Sequence, residues 1–186
     1  MNERVKGYMD RFHQGVDRRG TGSVKWDNRT SIFGTSDVIP MWVADTDFPC
    51  PDEVVEAIQK KAAHGVYGYS YPTEAVYEAV MEKLMRDYDW KVEKEWIVFI
   101  DGVVGGLYSA VSGFSEVGEG VVLQQPVYFP FASAIKDQGR EVQNNELELK
   151  QGQYHMDLEG LRGMATGRLV LLCNPHNPVG RVWTRQ

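Results

Sequence analysis

The sequence lacks most of the features that mark membrane, secreted or nucleic-acid-binding proteins. No apolar run approaches the roughly 20 residues that a membrane-spanning helix needs, and the first residues, MNERVKGYMDRFHQG, contain no apolar signal segment. Only two cysteines occur, without metal-ligand spacing, which is typical of reduced thiols. The net charge of -6 argues against a general nucleic-acid binder. We therefore expect a cytoplasmic protein with no metal site and no nucleic-acid or membrane partner.

What the sequence does contain is an alternation of short apolar runs and helical patterns. Apolar runs at residues 96–100, 121–123 and 169–172 predict buried strands, and residues 140–149 are a further candidate strand. Helices are predicted with Pro51 as the first residue, after the cap Thr73, over 103–114, after Pro126 and after the cap Asp157, with a turn at 151–153. This alternation predicts an α/β fold with a mainly parallel sheet covered by helices.

The first quarter of the chain differs from the rest. Residues 1–25 are polar and charged, and residues 18–23 read as a flexible stretch, so we interpret this region as an N-terminal arm. The alternation begins only beyond residue 50. The predicted division is therefore residues 1–50 and residues 51–186.

Three loops follow three of the predicted strands. Gly102 opens a helix whose first N–H groups, on Val103 and Val104, could hold a phosphate. Tyr128, on a proline-stiffened loop, could stack on a planar ring, and the amide of Asn177 could donate to an oxygen. In an open parallel sheet, ligands bind beyond the carboxyl ends of the strands. Together the loops predict a site for a planar, phosphorylated heteroaromatic such as pyridoxal phosphate.

Each feature alone has a plainer interpretation. The glycines near Gly102 lack the spacing of nucleotide-binding motifs and fit close helix packing. Tyr128 alone fits ordinary packing. Asp45 and Asp47 could suggest a metal site or acid–base chemistry, but a loop leading into a helix is the favoured interpretation. His176, between two prolines, reads as a spacer or a support for its neighbours.

Six sequence blocks together resemble the fold-type I pyridoxal-phosphate enzymes, the aspartate aminotransferase superfamily of class I and II. Within it the chain is most similar to the C–S β-lyase branch, the cystathionine β-lyase and maltose-regulon-modulator type. The blocks occur in family order: KWD (25–27), MWVADTDFPCP (41–51), YGYSYP (67–72), DGVVGGL (101–107), QPVYFPF (125–131) and CNPHNPVGRVW (173–183). The resemblance implies an N-terminal arm with part of the small domain, followed by the first part of the large cofactor-binding domain.

The resemblance also implies cofactor roles by matching position. Gly102, Val103 and Val104 would bind the phosphate of pyridoxal 5'-phosphate through backbone amides. Tyr128 would stack on the pyridine ring. Asn177 would donate to the phenolic oxygen of the ring.

Further implied roles concern the substrate and the partner subunit. Ala44 and Asp45 would line the substrate side, and Tyr69 would reach the cofactor phosphate of a partner subunit in a homo-oligomer. The implied substrate is a sulfur-containing amino acid, cleaved by β-elimination to a thiol, pyruvate and ammonia. A class I/II aminotransferase, in which the substrate carbanion is reprotonated on the cofactor, is the alternative.

The chain departs from the family pattern in its catalytic residues. In the family, the Schiff-base lysine, the aspartate at the pyridine nitrogen and the arginine that binds the substrate carboxylate all follow the NPxG loop. Every lysine here precedes Asn177 and none matches the Schiff-base motif. We therefore assign no catalytic residue. We expect an N-terminal portion, either truncated or completed by another polypeptide, that is inactive alone and binds the cofactor weakly or not at all. Self-association would cover its open sheet edge. A non-catalytic binding module is the remaining alternative.

Overall fold

The computed structural model describes Gly7, residues 15–164 and residues 167–184. The chain divides into two compact units, one ending at Tyr71 and the other beginning at Pro72. The domain boundary near residue 50 stays a prediction, because a compact unit and a domain are different divisions of a chain. No helix in the described part of the chain has the length and apolar character needed to cross a bilayer.

From residue 15 onwards, the first unit contains the helices α1 (Val24–Asp27), α2 (Arg29–Phe33) and α3 (Asp52–Ala63). The side chain of Ser23 caps α1 by accepting from the backbone N–H of Trp26. The carboxylate of Asp27 accepts from the N–H groups of Gly20 and Gly22, both at 2.8 Å. The flexible stretch predicted over residues 18–23 is therefore wrong, since it is a hydrogen-bonded turn; residues 1–6 and 8–14 of the predicted arm lie outside the described residues.

Helix α3 lies where a helix was predicted, but Pro51 is its N-cap rather than its first residue, which is Asp52. Its first turn is acidic and its last turn is basic, an arrangement that complements the helix dipole. Its apolar face is nevertheless exposed, as Ile58 at 64% shows. Within the described residues, this face packs against no core.

The second unit is built on a three-stranded parallel sheet in the order β2–β1–β5. Its strands are β1 (Gly120–Leu123), β2 (Glu141–Asn144) and β5 (Leu169–Val170). Beside it stands an antiparallel hairpin of β3 (Glu148–Lys150) and β4 (Gln153–His155). Its turn residues Gln151 and Gly152 both have positive φ, 50° and 77°, which confirms the predicted turn.

Helices and a 3₁₀ turn complete the described part of this unit. The helices are α4 (Glu74–Tyr88), α5 (Gly102–Phe114), α6 (Pro130–Lys136) and α7 (Leu158–Gly163), and the 3₁₀ turn covers Lys94–Trp96. Thr73 and Asp157 occupy the N-cap positions predicted for them, and the Asp157 carboxylate accepts from Gly160 N–H at 2.8 Å. The α/β class with a mainly parallel sheet is thus confirmed.

The strand predicted over residues 96–100 is wrong. This segment is a 3₁₀ turn followed by extended chain that pairs with no described strand. Val98 is 78% exposed and Ile100 is 55% exposed. A β-prone run becomes a strand only where a neighbouring strand offers hydrogen-bonding partners, and here none is provided.

The core lies between β1 and the helices α5 and α6. Its buried members are Val111, Val121, Leu123, Phe131, Ala134, Ile135, Leu171 and Cys173. Strand β1 is central in the sheet and its last three residues are fully buried. The run at 169–172 is only partly buried, because alternate side chains, Val170 and Leu172, face outward at 47% and 55% exposure. The expectation of a fully buried final strand is corrected accordingly.

Candidate functional site

Two of the three predicted loops meet in the structure. The backbone N–H of Tyr128 donates to the carbonyl of Asn177 at 2.8 Å. This contact follows from the sheet order: β1 and β5 are adjacent and parallel, so the loops that follow them leave the same edge. The structure therefore brings Tyr128 and Asn177 together, although 48 residues separate them in the sequence.

The loop that carries Asn177 is held in shape by its own hydrogen bonds. His176 N–H donates to Arg181 O at 2.7 Å, and Gly180 N–H donates to His176 O at 2.8 Å. The side chain of Asn174 accepts from Trp183 N–H at 3.1 Å. Asn174 is thus used within the loop, whereas Asn177 is exposed at its surface.

His176 joins this loop to the one that carries Tyr128. Its Nε2 lies 3.1 Å from Pro126 O, and its Nδ1 lies 3.2 Å from Nε1 of Trp183. The same indole nitrogen donates to Cys173 O at 3.1 Å. His176 is 1% exposed, and this burial lowers the pKa of its imidazole below the usual value. The sequence indicated a supporting residue here, and the structure gives it specific partners.

The third loop is the turn that opens helix α5. Gly102 is the first helical residue and has a φ of 81°, a conformation that other L-residues rarely adopt. The side chain of the N-cap Asp101 makes no capping hydrogen bond. Residues 102–104 are exposed, and a Cβ added at Gly102 would meet nothing within 4 Å. Because the first N–H groups of a helix have no intrahelical acceptor, Val103 and Val104 offer donors to an anion.

Helix packing relates this turn to the Tyr128 loop. Helix α5 packs against α6, which begins two residues after Tyr128. Gln138 bridges the pair, since its Nε2 donates to Tyr108 O at 3.1 Å and to Ala134 O at 2.7 Å. The helix N-terminus, the half-exposed tyrosine ring and the exposed amide of Asn177 provide donors and a stacking face that fit a planar phosphorylated heteroaromatic. That they contact such a cofactor stays a prediction.

The remaining predicted residues, Ala44, Asp45 and Tyr69, belong to the first unit. All three are exposed, and Tyr69 is fully so. Asp45 forms an ion pair with Arg18 at 2.6 Å. Their placement on the substrate side and against a partner subunit's cofactor stays a prediction.

A charged cluster, which the sequence did not reveal, fixes the loop of Asp45. The carboxylate of Asp47 accepts from Lys25 Nζ at 2.8 Å, Trp26 Nε1 at 2.8 Å and Arg18 at 3.0 Å. These hydrogen bonds, Lys25 first and then Trp26, lower the pKa of Asp47 to about 2. Asp45 and Asp47 therefore both form ion pairs. Neither the metal or acid–base interpretation of this acidic pair nor the interpretation as a loop leading into a helix predicted that role.

A cavity of about 500 Å³ lies elsewhere in the second unit, between the hairpin and the end of the described chain. Its lining includes Lys150, His155, Arg181 and Trp183. None of the predicted cofactor residues lines it. The candidate site is therefore an open surface formed by loops rather than this cavity.

The fold and these loops are those of a known protein class. Residues 36–186 match the sequence profile described as aminotransferase class I and II, and the chain belongs to this family. Its members depend on pyridoxal phosphate. The resemblance of this chain to the C–S lyase branch of the family is also confirmed.

Individual relatives make this similarity specific. The chain is 42% identical over 178 residues to cystathionine beta-lyase PatB of Bacillus subtilis, covering 94% of this chain and 46% of that protein. It is 32% identical over 177 residues to protein MalY of Escherichia coli, covering 93% and 45%. The crystal structure of cystalysin from Treponema denticola, which contains a pyridoxal 5'-phosphate cofactor, superposes with a TM-score of 0.85 at 36% identity, covering 92% and 45%. The chain therefore spans a little under half the length of these relatives.

Proposed function

We propose that this chain forms part of the active site of a pyridoxal-phosphate-dependent C–S β-lyase. The reaction is β-elimination from a sulfur-containing amino acid of the cystathionine type, giving a thiol, pyruvate and ammonia. The observation that carries the proposal is the 2.8 Å hydrogen bond from Tyr128 N–H to Asn177 O, which joins two loops suited to one planar ligand. The 42% identity to a cystathionine beta-lyase supports the choice of reaction.

The residues of this chain bind and orient the cofactor in this proposal. The N–H groups of Val103 and Val104 donate to its phosphate at the start of α5, where the helix dipole favours negative charge. The N–H of Gly102, which the resemblance also implied as a phosphate donor, instead donates to Ile100 O at 2.8 Å. The ring of Tyr128 stacks on the pyridine face. The side-chain amide of Asn177 donates to the phenolic oxygen, which stabilises negative charge there.

Pyridoxal phosphate, when bound, supplies an electron sink that stabilises negative charge at the substrate Cα. The resemblance assigns Ala44 and Asp45 to the substrate side, and the ion pairs of Asp47 hold their loop in one conformation. Tyr69 donates to the cofactor phosphate bound in a partner subunit. A fully exposed tyrosine hydroxyl is consistent with a role that a second subunit completes.

No lysine among the 186 residues matches the one that binds the cofactor covalently in this family. The proposal therefore assigns the proton transfers at Cα to a lysine outside these residues. We expect these residues alone to release no pyruvate.

A fusion tests the reaction directly. Residues 1–186 are joined to the portion of Bacillus subtilis cystathionine beta-lyase PatB that follows its matched segment, and pyruvate and free thiol are measured with L-cystathionine. We expect both products in equal amounts. The matched control carries Asn177→Ala, which should lower the rate at unchanged folding. A fusion that takes up pyridoxal phosphate but releases neither product contradicts the proposal.

A class I/II aminotransferase is the second candidate, favoured by the family profile that residues 36–186 match. The same fusion distinguishes the two reactions. Amino-group transfer to 2-oxoglutarate, without release of pyruvate and thiol from cystathionine, would identify the aminotransferase.

A further inference from the structure

We propose that His176, as a neutral imidazole with its proton on Nε2, is a positioning residue that fixes Asn177 relative to Tyr128. This buried side chain then has a role in the candidate site, in addition to separating two prolines in the sequence. Its importance for a cofactor rests on the proposed function. The positioning itself is a property of the two loops and can be measured without any ligand.

The hydrogen-bond partners determine the tautomer. An indole N–H is only a donor, so Nδ1 of His176, 3.2 Å from Nε1 of Trp183, has to accept, sharing that N–H with Cys173 O at 3.1 Å. The other ring nitrogen, Nε2, lies 3.1 Å from Pro126 O, and a carbonyl oxygen is only an acceptor. The ring proton therefore lies on Nε2.

Packing keeps the imidazole in this orientation. The ring is 1% exposed and makes an edge-to-face contact with the indole of Trp183, with centroids 5.4 Å apart and planes at 89°. A flipped ring would place a carbon against Pro126 O and lose the hydrogen bond to that carbonyl, which is unfavourable. A protonated ring would set two N–H donors against each other at the indole.

Because of the position of His176 in the chain, its hydrogen bond to Pro126 O restrains the candidate site. Pro126, its acceptor, lies two residues before Tyr128, and His176 directly precedes Asn177. The hydrogen bond of His176 to Pro126 O and the one from Tyr128 N–H to Asn177 O therefore join the same two loops at two points. Two hydrogen bonds fix both the separation and the orientation of the loops, whereas a single hydrogen bond would allow the loops to rotate about it.

The wild-type tautomer is the first test. Nitrogen-15 NMR of the histidine ring distinguishes a protonated from an unprotonated nitrogen. We expect His176 to show a protonated Nε2 and an unprotonated Nδ1 at neutral pH. The opposite tautomer, or an imidazolium, would overturn the proposal without any substitution being made.

Two variants test the positioning. His176→Phe keeps a ring against Trp183 but removes both hydrogen bonds, while His176→Gln can again donate from its amide to Pro126 O. We expect amide exchange of Tyr128 to accelerate about tenfold in His176→Phe and to return towards the wild-type rate in His176→Gln. The amide of Leu171, which donates to Val122 O in the sheet, is the internal control and should not change.

The outcomes separate a positioning role from a general structural one. Equally accelerated amide exchange at Tyr128 and Leu171 would mean that the variant only destabilises the unit. Unchanged exchange at Tyr128 would mean that the His176 hydrogen bonds do not restrain the loops. Either result overturns the proposal. Release of pyruvate from L-cystathionine by the fusion described above is measured in parallel. Its absence, together with the expected exchange pattern, would contradict the proposed function while supporting the positioning role.

Discussion

The ammonium group of Lys25 donates to the carboxylate of Asp47 at 2.8 Å and to the backbone carbonyl of Asp45 at 3.0 Å. One side chain on the short helix α1 thus holds two residues of a loop about 20 positions further along the chain. Lys25 itself is 9% exposed. The bridge is therefore a partly buried tether, and its strength depends on the charge of Asp47.

We expect Asp47→Asn to lower the thermal midpoint of the first unit at neutral pH. The pH dependence is specific: the folded-state pKa of Asp47 is lowered to about 2 from the usual 3.8. Its stabilisation is present above 3.8 and is lost as the pH falls through about 2. The difference between wild type and Asp47→Asn should shrink over that interval, as measured by thermal unfolding at several pH values.

Asp17→Asn is the matched control for this prediction. Asp17 also has a pKa lowered to about 2, by its hydrogen bonds with Arg19, but that partner is only two residues away and both side chains are mostly exposed. An exposed local pair contributes little to stability. A drop in midpoint for Asp17→Asn as large as for Asp47→Asn would contradict the tether interpretation.

Leu123 should be among the most sensitive core positions. It is fully buried at the end of the central strand β1. We expect Leu123→Ala to reduce the free energy of unfolding by about 2–5 kcal/mol, through lost burial and the cavity left behind. Leu149→Ala, at a leucine 62% exposed in β3, should change it by less than about 0.5 kcal/mol. Urea denaturation measures both, and similar effects at the two leucines would argue against the described core.

Gly120 is required by the side chain of Gln143, which crosses its face of the sheet. A Cβ at Gly120 would lie 2.2–2.9 Å from three atoms of Gln143, so the whole side chain would have to move. We expect Gly120→Ala to cost about 1–3 kcal/mol of unfolding free energy. Gln143→Ala in the same protein should recover much of this loss, because it removes the atoms that collide.

A second glycine provides the control for this steric argument. Gly113 is the last residue but one of α5, and a Cβ there would meet nothing within 4 Å. Gly113→Ala should therefore stabilise the protein by about 0.5–1 kcal/mol, since alanine favours the helix. If Gly120→Ala is as harmless as Gly113→Ala, the contact with Gln143 is not tight.

Ligand binding tests the two joined loops. Pyridoxine 5'-phosphate carries the ring, phenolic oxygen and phosphate but needs no lysine. We expect Tyr128→Phe to bind it nearly as well as wild type, and Tyr128→Ala to bind about 2–10-fold more weakly because the stacking face is lost. Calorimetric titration measures this, with Tyr88→Ala, at an exposed tyrosine in α4, as the control. Undiminished binding by Tyr128→Ala would exclude ring stacking at this position.

The sequence predicted the local features of this fold well. Thr73 and Asp157 mark helix starts, Gln151 and Gly152 form the turn of the hairpin, and the run at 121–123 lies within the central strand. Capping, turn chemistry and apolar runs act over a few neighbouring residues, so they are readable without knowing the rest of the fold. The carboxyl ends of β1 and β5 could also be expected to lie together once a parallel sheet was inferred.

Features that depend on distant residues were missed or misplaced. The run at 96–100 has strand propensity but no described neighbour to pair with. Lys25 and Asp47 meet although 21 residues separate them, and no local pattern links the two. For His176, the sequence located the residue but not its acceptor 50 positions earlier.

The bond between Tyr128 and Asn177 also constrains the order of folding. Closing a chain loop of about 50 residues has an entropic cost that no contact within either loop offsets. The pairing of β1 with β5 brings the two segments together, so the entropic cost of closing the loop is already met when the sheet forms. The ligand-binding surface should consequently assemble last, after the sheet, so that its formation reports completion of the unit.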